Sequence, residues 1–138
     1  MSFLLDPRLT ADTHPIGELA LSRLLLMDDA RFPWLILVPR IAGARELFDL
    51  DADDRANLLG ELDGIGRTLE TLLHPDKFNI AALGNAVPQL HVHVIARYTN
   101  DAAWPQPVWG CGERVRYEPS ALAKRIADVR QAMDALFI

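Results

Sequence analysis

Gln89-Leu90-His91-Val92-His93-Val94-Ile95-Ala96-Arg97 is the stretch whose reading decides the fold. Apolar residues, most of them β-branched, alternate here with a glutamine and two histidines, and that period of two predicts a strand. Successive strand side chains point to opposite faces. Gln89, His91 and His93 are therefore expected on one face, and Leu90, Val92 and Val94 on the other. An ordinary half-buried strand presents Lys, Thr or Glu to water. This one presents two imidazoles and an amide, which marks a candidate site. Histidines on a strand can also be purely structural, each satisfied by backbone or by the other. The glutamine on the same face lowers the weight of that reading without removing it.

Working outward, residues 78–83 read as a strand closed by Gly84-Asn85. The short link through Pro88 makes this strand and the histidine strand antiparallel neighbours, with Asn85 beside the Gln/His face. Further upstream, residues 19–27, whose leucines could equally serve a short helix, and residues 34–38 read as two apolar strands around the turn Asp28-Asp29-Ala30-Arg31-Phe32-Pro33, a hairpin pattern. The second is apolar throughout, as in a strand buried on both faces. Asp51 is placed to cap a helix whose Leu58, Leu62, Ile65, Leu69, Leu72 and Leu73 recur every three or four residues, ending at His74-Pro75. A last helix starts at Pro119-Ser120, with Ser120 as its cap. The aromatic, proline-rich stretch 104–110 suits an ordered loop. Residues 1–18 carry the breaks Asp6-Pro7 and His14-Pro15 and read as irregular, with His14 an exposed loop residue. This order of elements predicts an α+β fold on a mainly antiparallel sheet.

The chain has 138 residues, half of them hydrophobic, which is enough for one domain with a proper core. We take that domain as 1–138, with its core over about 3–110 and its C-terminal helix over about 120–137. Cys111 is the one cysteine, so neither an internal disulfide nor a cysteine zinc cage is available. The opening apolar run stops too soon for a signal peptide, and no apolar window could span a bilayer. A cytoplasmic protein with no membrane partner is expected. The net charge of -5 argues against a nucleic-acid partner but permits a small anionic ligand in a locally positive site.

Two chemistries fit the histidine pair. Alternate strand positions are about 6.5–7 Å apart, and imidazoles so placed can converge on a metal. A third ligand would have to come from Asp101, His14 or another acid brought in by folding. Alternatively, one neutral imidazole attacks a phosphorus atom and carries the group as a phosphoramidate until water takes it. That chemistry needs an acceptor on the far ring nitrogen and donors for the phosphoryl oxygens. His91 flanked by Gln89 and His93 offers such a set.

The run Gln89-Leu-His91-Val-His93-Val-Ile resembles the histidine triad signature of alternating histidines and apolar residues. Leu83-Gly84-Asn85 and the Trp104-Pro105 to Trp109-Gly110 segment resemble a bacterial branch of histidine triad proteins and diadenosine tetraphosphate hydrolases, the resemblance covering roughly residues 3–110. It implies a five-stranded antiparallel sheet with one long helix and a C-terminal helix, in a homodimer. The implied function is a nucleotide hydrolase or transferase cleaving a dinucleoside polyphosphate or phosphoramidate at the α-phosphate through a nucleotidyl-histidine. By the family pattern His91 is the nucleophile, His93 the third histidine, and Gln89 stands where the first is usual. Asp28 matches the acid that contacts ribose, with Asp29 one step off, and Asn85 matches a phosphate-binding position. A solvated turn is the plain alternative for both aspartates. Trp104 and Trp109 suit either a cover over the nucleotide or a subunit contact. No cofactor and no structural zinc is implied, beyond a divalent cation accompanying a polyphosphate substrate. Alternatives of other classes are a nucleotide-binding regulatory module with little catalysis and a metal-dependent hydrolase using His91 and His93.

Overall fold

The computed structural model describes residues 2–138, so the part of the irregular-terminus expectation at Met1 lies outside the described residues. The elements run α1 (Pro7–Asp12), β1 (Thr13–Glu18), β2 (Ser22–Met27), β3 (Trp34–Pro39), α2 (Ala52–Leu73), β4 (Lys77–Ala81), β5 (Val92–Arg97) and α3 (Pro119–Met133). The five strands form one antiparallel sheet in the order β1-β2-β3-β5-β4. The expected α+β architecture is therefore present, as are the hairpin of β2 and β3 and the pairing of β4 with β5.

Each face of the sheet buries its own cluster. Leu24, Leu26, Leu35, Leu37, Val92 and Val94 meet Leu58, Ile65 and Leu69 of α2 and Val129 and Met133 of α3. The opposite face sets Leu25, Trp34, Ile36, Val38 and Ile95 against Leu9 of α1 and Phe32, Ala103 and Val108 from loops. His93 pairs with Ile36 across the ladder and belongs to this second face. Burial on both sides explains why β3 is buried along its whole length and carries no polar alternation.

Helix α2 starts as its sequence dictates. Asp51 accepts from the Asp54 N–H at 2.8 Å, and Asp53 and Asp54 favour the positive end of the helix. His74 closes it in the left-handed region, φ 48°, its N–H bonded to the Glu70 carbonyl. Helix α3 is capped two residues earlier than expected, with Glu118 instead of Ser120 at the cap position and Pro119 in its first turn.

The amino-terminal expectation is corrected. Residues Pro7–Asp12 form a helix capped by Asp6, which accepts from the Arg8 N–H, and Thr13–Glu18 form an edge strand. His14 is accordingly a half-buried strand residue 3.4 Å from the Asp28 carboxylate, not an exposed loop residue.

Arg97 is 1 % exposed and anchors the long loop that follows β5. Its guanidinium grips both oxygens of Asp101, at 2.7 and 3.0 Å, and also donates to Asn79 Oδ1 and the Gln106 carbonyl. The Asp101 carboxylate in turn accepts the N–H groups of Tyr98, Ala103 and Trp104. Arg97 beside it, helped by those N–H groups, holds the Asp101 carboxyl down to about 2. Neither side chain is available to a ligand, because each is spent on building the loop. The ring of Trp104 closes over the same guanidinium, 5.6 Å from centroid to cation.

Candidate active site

His91 stands one residue before β5, where the chain enters the sheet. Its Nδ1 lies 2.7 Å from the Gln89 carbonyl oxygen. A carbonyl can only accept, so Nδ1 carries the proton and the lone pair is left on Nε2. Among the described residues nothing bonds Nε2. The ring lines a recess of about 180 Å³ with Gly84, Asn85, Pro88, Gln89 and Arg45. Gly84 is required there: a Cβ would stand 2.6 Å from the Val87 carbonyl oxygen and 3.1 Å from His91 Cε1. The two histidine rings meet edge to face at 4.9 Å, so the expected common face is real for them.

His93 is held on both nitrogens. Trp34 Nε1–H donates to Nδ1 at 2.9 Å, which leaves Nε2–H to donate to the Leu83 carbonyl at 3.0 Å. The indole of Trp109 packs edge-on against the ring at 5.0 Å. Burial pushes the His93 pKa down to about 4, assisted by its neighbour His91, against the opposing pull of the Leu83 carbonyl. His93 is therefore a neutral ring of fixed tautomer. It has no free donor for a phosphoryl oxygen and no free lone pair for a metal.

Gln89 lies outside β5, and the alternation does not extend to it. Its Oε1 accepts from the Asp6 N–H at 2.9 Å and its Nε2 donates to the Leu4 carbonyl at 2.8 Å. The amide thus straps residues 4–6 to the entrance of β5 instead of facing a phosphate. Arg8 adds a bond to the Ala86 carbonyl, so the segment before α1 is pinned along the 84–91 loop. Asn85 is where the sequence puts it, exposed on the recess that His91 lines. Among the described residues the backbone N–H groups of Asn85, Ala86 and Val87 donate to nothing.

Neither aspartate is a solvated one. Asp28 turns to the helix side of the sheet, where Arg116 and the Tyr117 N–H bind its carboxylate at 2.8 and 3.1 Å. Burial pushes its carboxyl up, but Tyr117, Arg116 and His14 outweigh that and hold it below the usual range. Asp29 takes the other side and lines a cleft of about 400 Å³ with Met27, Arg31, Trp34 and Trp109. The residue one step off is therefore the one on the histidine side. Arg31 grips both oxygens of Asp29 and reaches the Cys111 carbonyl, tying the cleft floor to the Trp109 loop. Trp34 and Arg31 line this cleft as well, and the sequence reading passed over both. Trp34 read as core and Arg31 as turn. Trp109, expected over a nucleotide or at a subunit contact, packs against His93 and Trp34 of its own chain.

Among the described residues no three His, Cys, Asp or Glu side chains gather as a metal set, and Asp101 is already held by Arg97. No helix among them is long and apolar enough to cross a membrane.

Comparison with known proteins places this geometry. The model of the HIT domain matches residues 8–100. A histidine triad protein of Bradyrhizobium japonicum is 46% identical, with 96% of this chain and 98% of that one covered at a TM-score of 0.93. Another from Marinobacter aquaeolei VT8 is 44% identical, covering 99% of each chain at a TM-score of 0.95. A third, from Sinorhizobium meliloti 1021, is 44% identical, covering 94% and 96% at a TM-score of 0.91. No curated protein matches the chain.

The lowered pKa of His93 has a consequence for pH. The unfolded chain takes up the proton first as pH falls, so the stability that neutral His93 confers is complete above about pH 6.5 and lost on descent toward pH 4. Imidazole NMR should find His93 neutral and protonated on Nε2 at pH 5.5, titrating near 4. A midpoint near 6.5 would contradict the burial and double bonding described.

Proposed function

The chain belongs to the histidine triad family, and from that premise we propose that it cleaves a nucleoside phosphate derivative at the α-phosphate through a covalent intermediate on His91. The family's members are nucleotide hydrolases and transferases. The observation that carries the reading is the bond from His91 Nδ1–H to the Gln89 carbonyl, which leaves a nucleophilic lone pair on Nε2 in an open polar recess.

In this mechanism Nε2 attacks the α-phosphorus. A P–N bond forms as the bond to the leaving group breaks, and the leaving group departs with the electron pair, as a phosphate anion from a polyphosphate or as an amine that takes its proton from water in the open recess. The positive charge that develops on the ring spreads to Nδ1–H, where the carbonyl meets it. Water then attacks the phosphoramidate, the P–N bond breaks with its electron pair returning to Nε2, and the nucleotide leaves as the water's proton passes to solvent. Asn85 and the unpaired N–H groups of 85–87 serve the phosphoryl oxygens. His93 works as packing, fixing His91 by its edge, and Gln89 works through its backbone carbonyl and the strap its amide holds. The cleft lined by Met27, Trp34 and Trp109 faces the nucleoside, and Asp29, its carboxylate held by Arg31, braces the floor of that cleft. No resident metal is needed; a divalent cation would arrive with a polyphosphate.

The substrates to try are a dinucleoside polyphosphate such as diadenosine tetraphosphate and an adenosine phosphoramidate. Rapid acid-free quench and intact mass measurement should give a gain of one AMP on the wild-type chain. His91→Ala should lose the adduct and at least roughly 10⁴-fold in kcat, as removal of a nucleophile does, with an unchanged circular dichroism spectrum. Binding without adduct or turnover would instead favour a nucleotide-binding module.

A homodimer is part of the same reading. Strand β4 ends the sheet with one edge unpaired, and the neighbouring Ile80 and Leu59 are 53% and 68% exposed along a groove with Phe78 and Leu62. Two copies joined there would cover both. Sedimentation equilibrium should give a dimer for the wild type and a monomer for Ile80→Asp; a wild-type monomer at micromolar concentration would exclude it.

A further inference from the structure

We propose that Arg45 is a substrate-binding residue that receives the phosphates beyond the one attacked, and that it tunes the site toward anionic, polyphosphate-type leaving groups over neutral amines. The inference rests on the reading of His91 as nucleophile and adds the chemistry of another residue lining the same recess.

Arg45 lines the recess together with His91, Asn85 and Gln89. Its place is fixed from both sides along the chain. The Ala44 carbonyl accepts from the Leu90 N–H at 2.9 Å, which ties the residue before Arg45 to the residue before His91. The Asp49 carboxylate accepts the N–H groups of Arg45 and Glu46 at 3.0 and 2.9 Å, which sets the backbone turn. The side chain is free of such ties. Among the described residues every other arginine except Arg125 holds a carboxylate or a backbone carbonyl, and Arg125 faces the Tyr117 hydroxyl. The Arg45 guanidinium makes no hydrogen bond and no ion pair with the described residues. An exposed arginine left unpaired in a chain of net charge -5, lining the same recess as the imidazole, is matched to an anion that arrives from outside.

The neighbouring acids narrow the ligand. Glu46 lines the recess too, and Asp49 is close enough to Arg45 to feel its charge. The wall is therefore not a general basic patch, and one guanidinium must act alone. A planar fork binding two phosphate oxygens suits that task, and an ammonium does not reproduce it. A phosphoramidate has only its α-phosphate, which Asn85 and the loop N–H groups already meet. A dinucleoside polyphosphate extends further charge past the reacting phosphorus, and the benefit of Arg45 falls on it selectively.

The test separates binding from chemistry by using inorganic tripolyphosphate, which offers no nucleotidyl group. Calorimetry on the wild-type protein, Arg45→Ala and Arg45→Lys should show tripolyphosphate binding weakened by about 10- to 100-fold in the alanine variant, the usual worth of a charge-assisted bidentate contact. The lysine variant should fall between. In turnover, kcat/KM for diadenosine tetraphosphate should drop by a similar factor in Arg45→Ala, while adenosine phosphoramidate changes less than about threefold. Tripolyphosphate binding unaffected by Arg45→Ala, or an equal loss on both substrates, would overturn the assignment. If Arg45-dependent binding persists while no AMP adduct forms on wild-type His91, the reading of the nucleophile fails and the anion site stands.

Discussion

The hydrogen bond from His91 Nδ1–H to the Gln89 carbonyl is the constraint on which the site depends. An imidazole is a nucleophile at one nitrogen only when the other is committed as a donor, and a main-chain carbonyl two residues away commits it without any further side chain. The acceptor is backbone, so it remains whatever side chain occupies position 89. The replacement of a triad histidine by glutamine therefore leaves this part of the apparatus untouched. What the glutamine supplies is a different service: a donor and an acceptor that bind the backbone at Leu4 and Asp6 and bring the amino-terminal segment against the site.

Rigidity around His91 comes from packing and hydrogen bonds within the chain. Trp34 and the Leu83 carbonyl fix His93, His93 packs on His91, and Trp109 closes the far side of the cluster. Trp109 is carried by a loop that Arg97 and Asp101 organise and that Arg31 ties to Asp29. A buried guanidinium is costly unless all its donors are used, and here both the carboxylate and two other oxygens meet it. Charge buried for architecture thus sets the position of an aromatic wall about the site. Arg45, lining the recess with His91, is charge left available.

How much of this was legible in the sequence follows from which signals are local. The alternation in 90–95 and the leucine spacing of α2 are local, and both gave the right elements. Edge strand β1 was hidden because Pro15 and Gly17 interrupt its pattern; the register breaks between them, and the strand is held by β2 and by Arg130, which reaches the Ile16 and Pro15 carbonyls. Extending the alternation to Gln89 overran the ladder, which on the β3 side begins where Leu37 meets Val92. Asp28 was favoured by resemblance, yet strand phase puts Asp29, not Asp28, on the side of Met27 and the histidines. The Trp34–His93 bond joins residues 59 apart in sequence, and only the β3–β5 register could have announced it.

The central claim, a double displacement on His91, is tested most directly by the stereochemistry at phosphorus. A dinucleoside polyphosphate carrying a chiral α-thiophosphate, cleaved in ¹⁸O-water, yields adenosine thiophosphate whose configuration can be read. Each in-line displacement inverts the centre, so formation and hydrolysis of a nucleotidyl-histidine predict overall retention. Inversion would mean that water attacks directly, and would contradict the account.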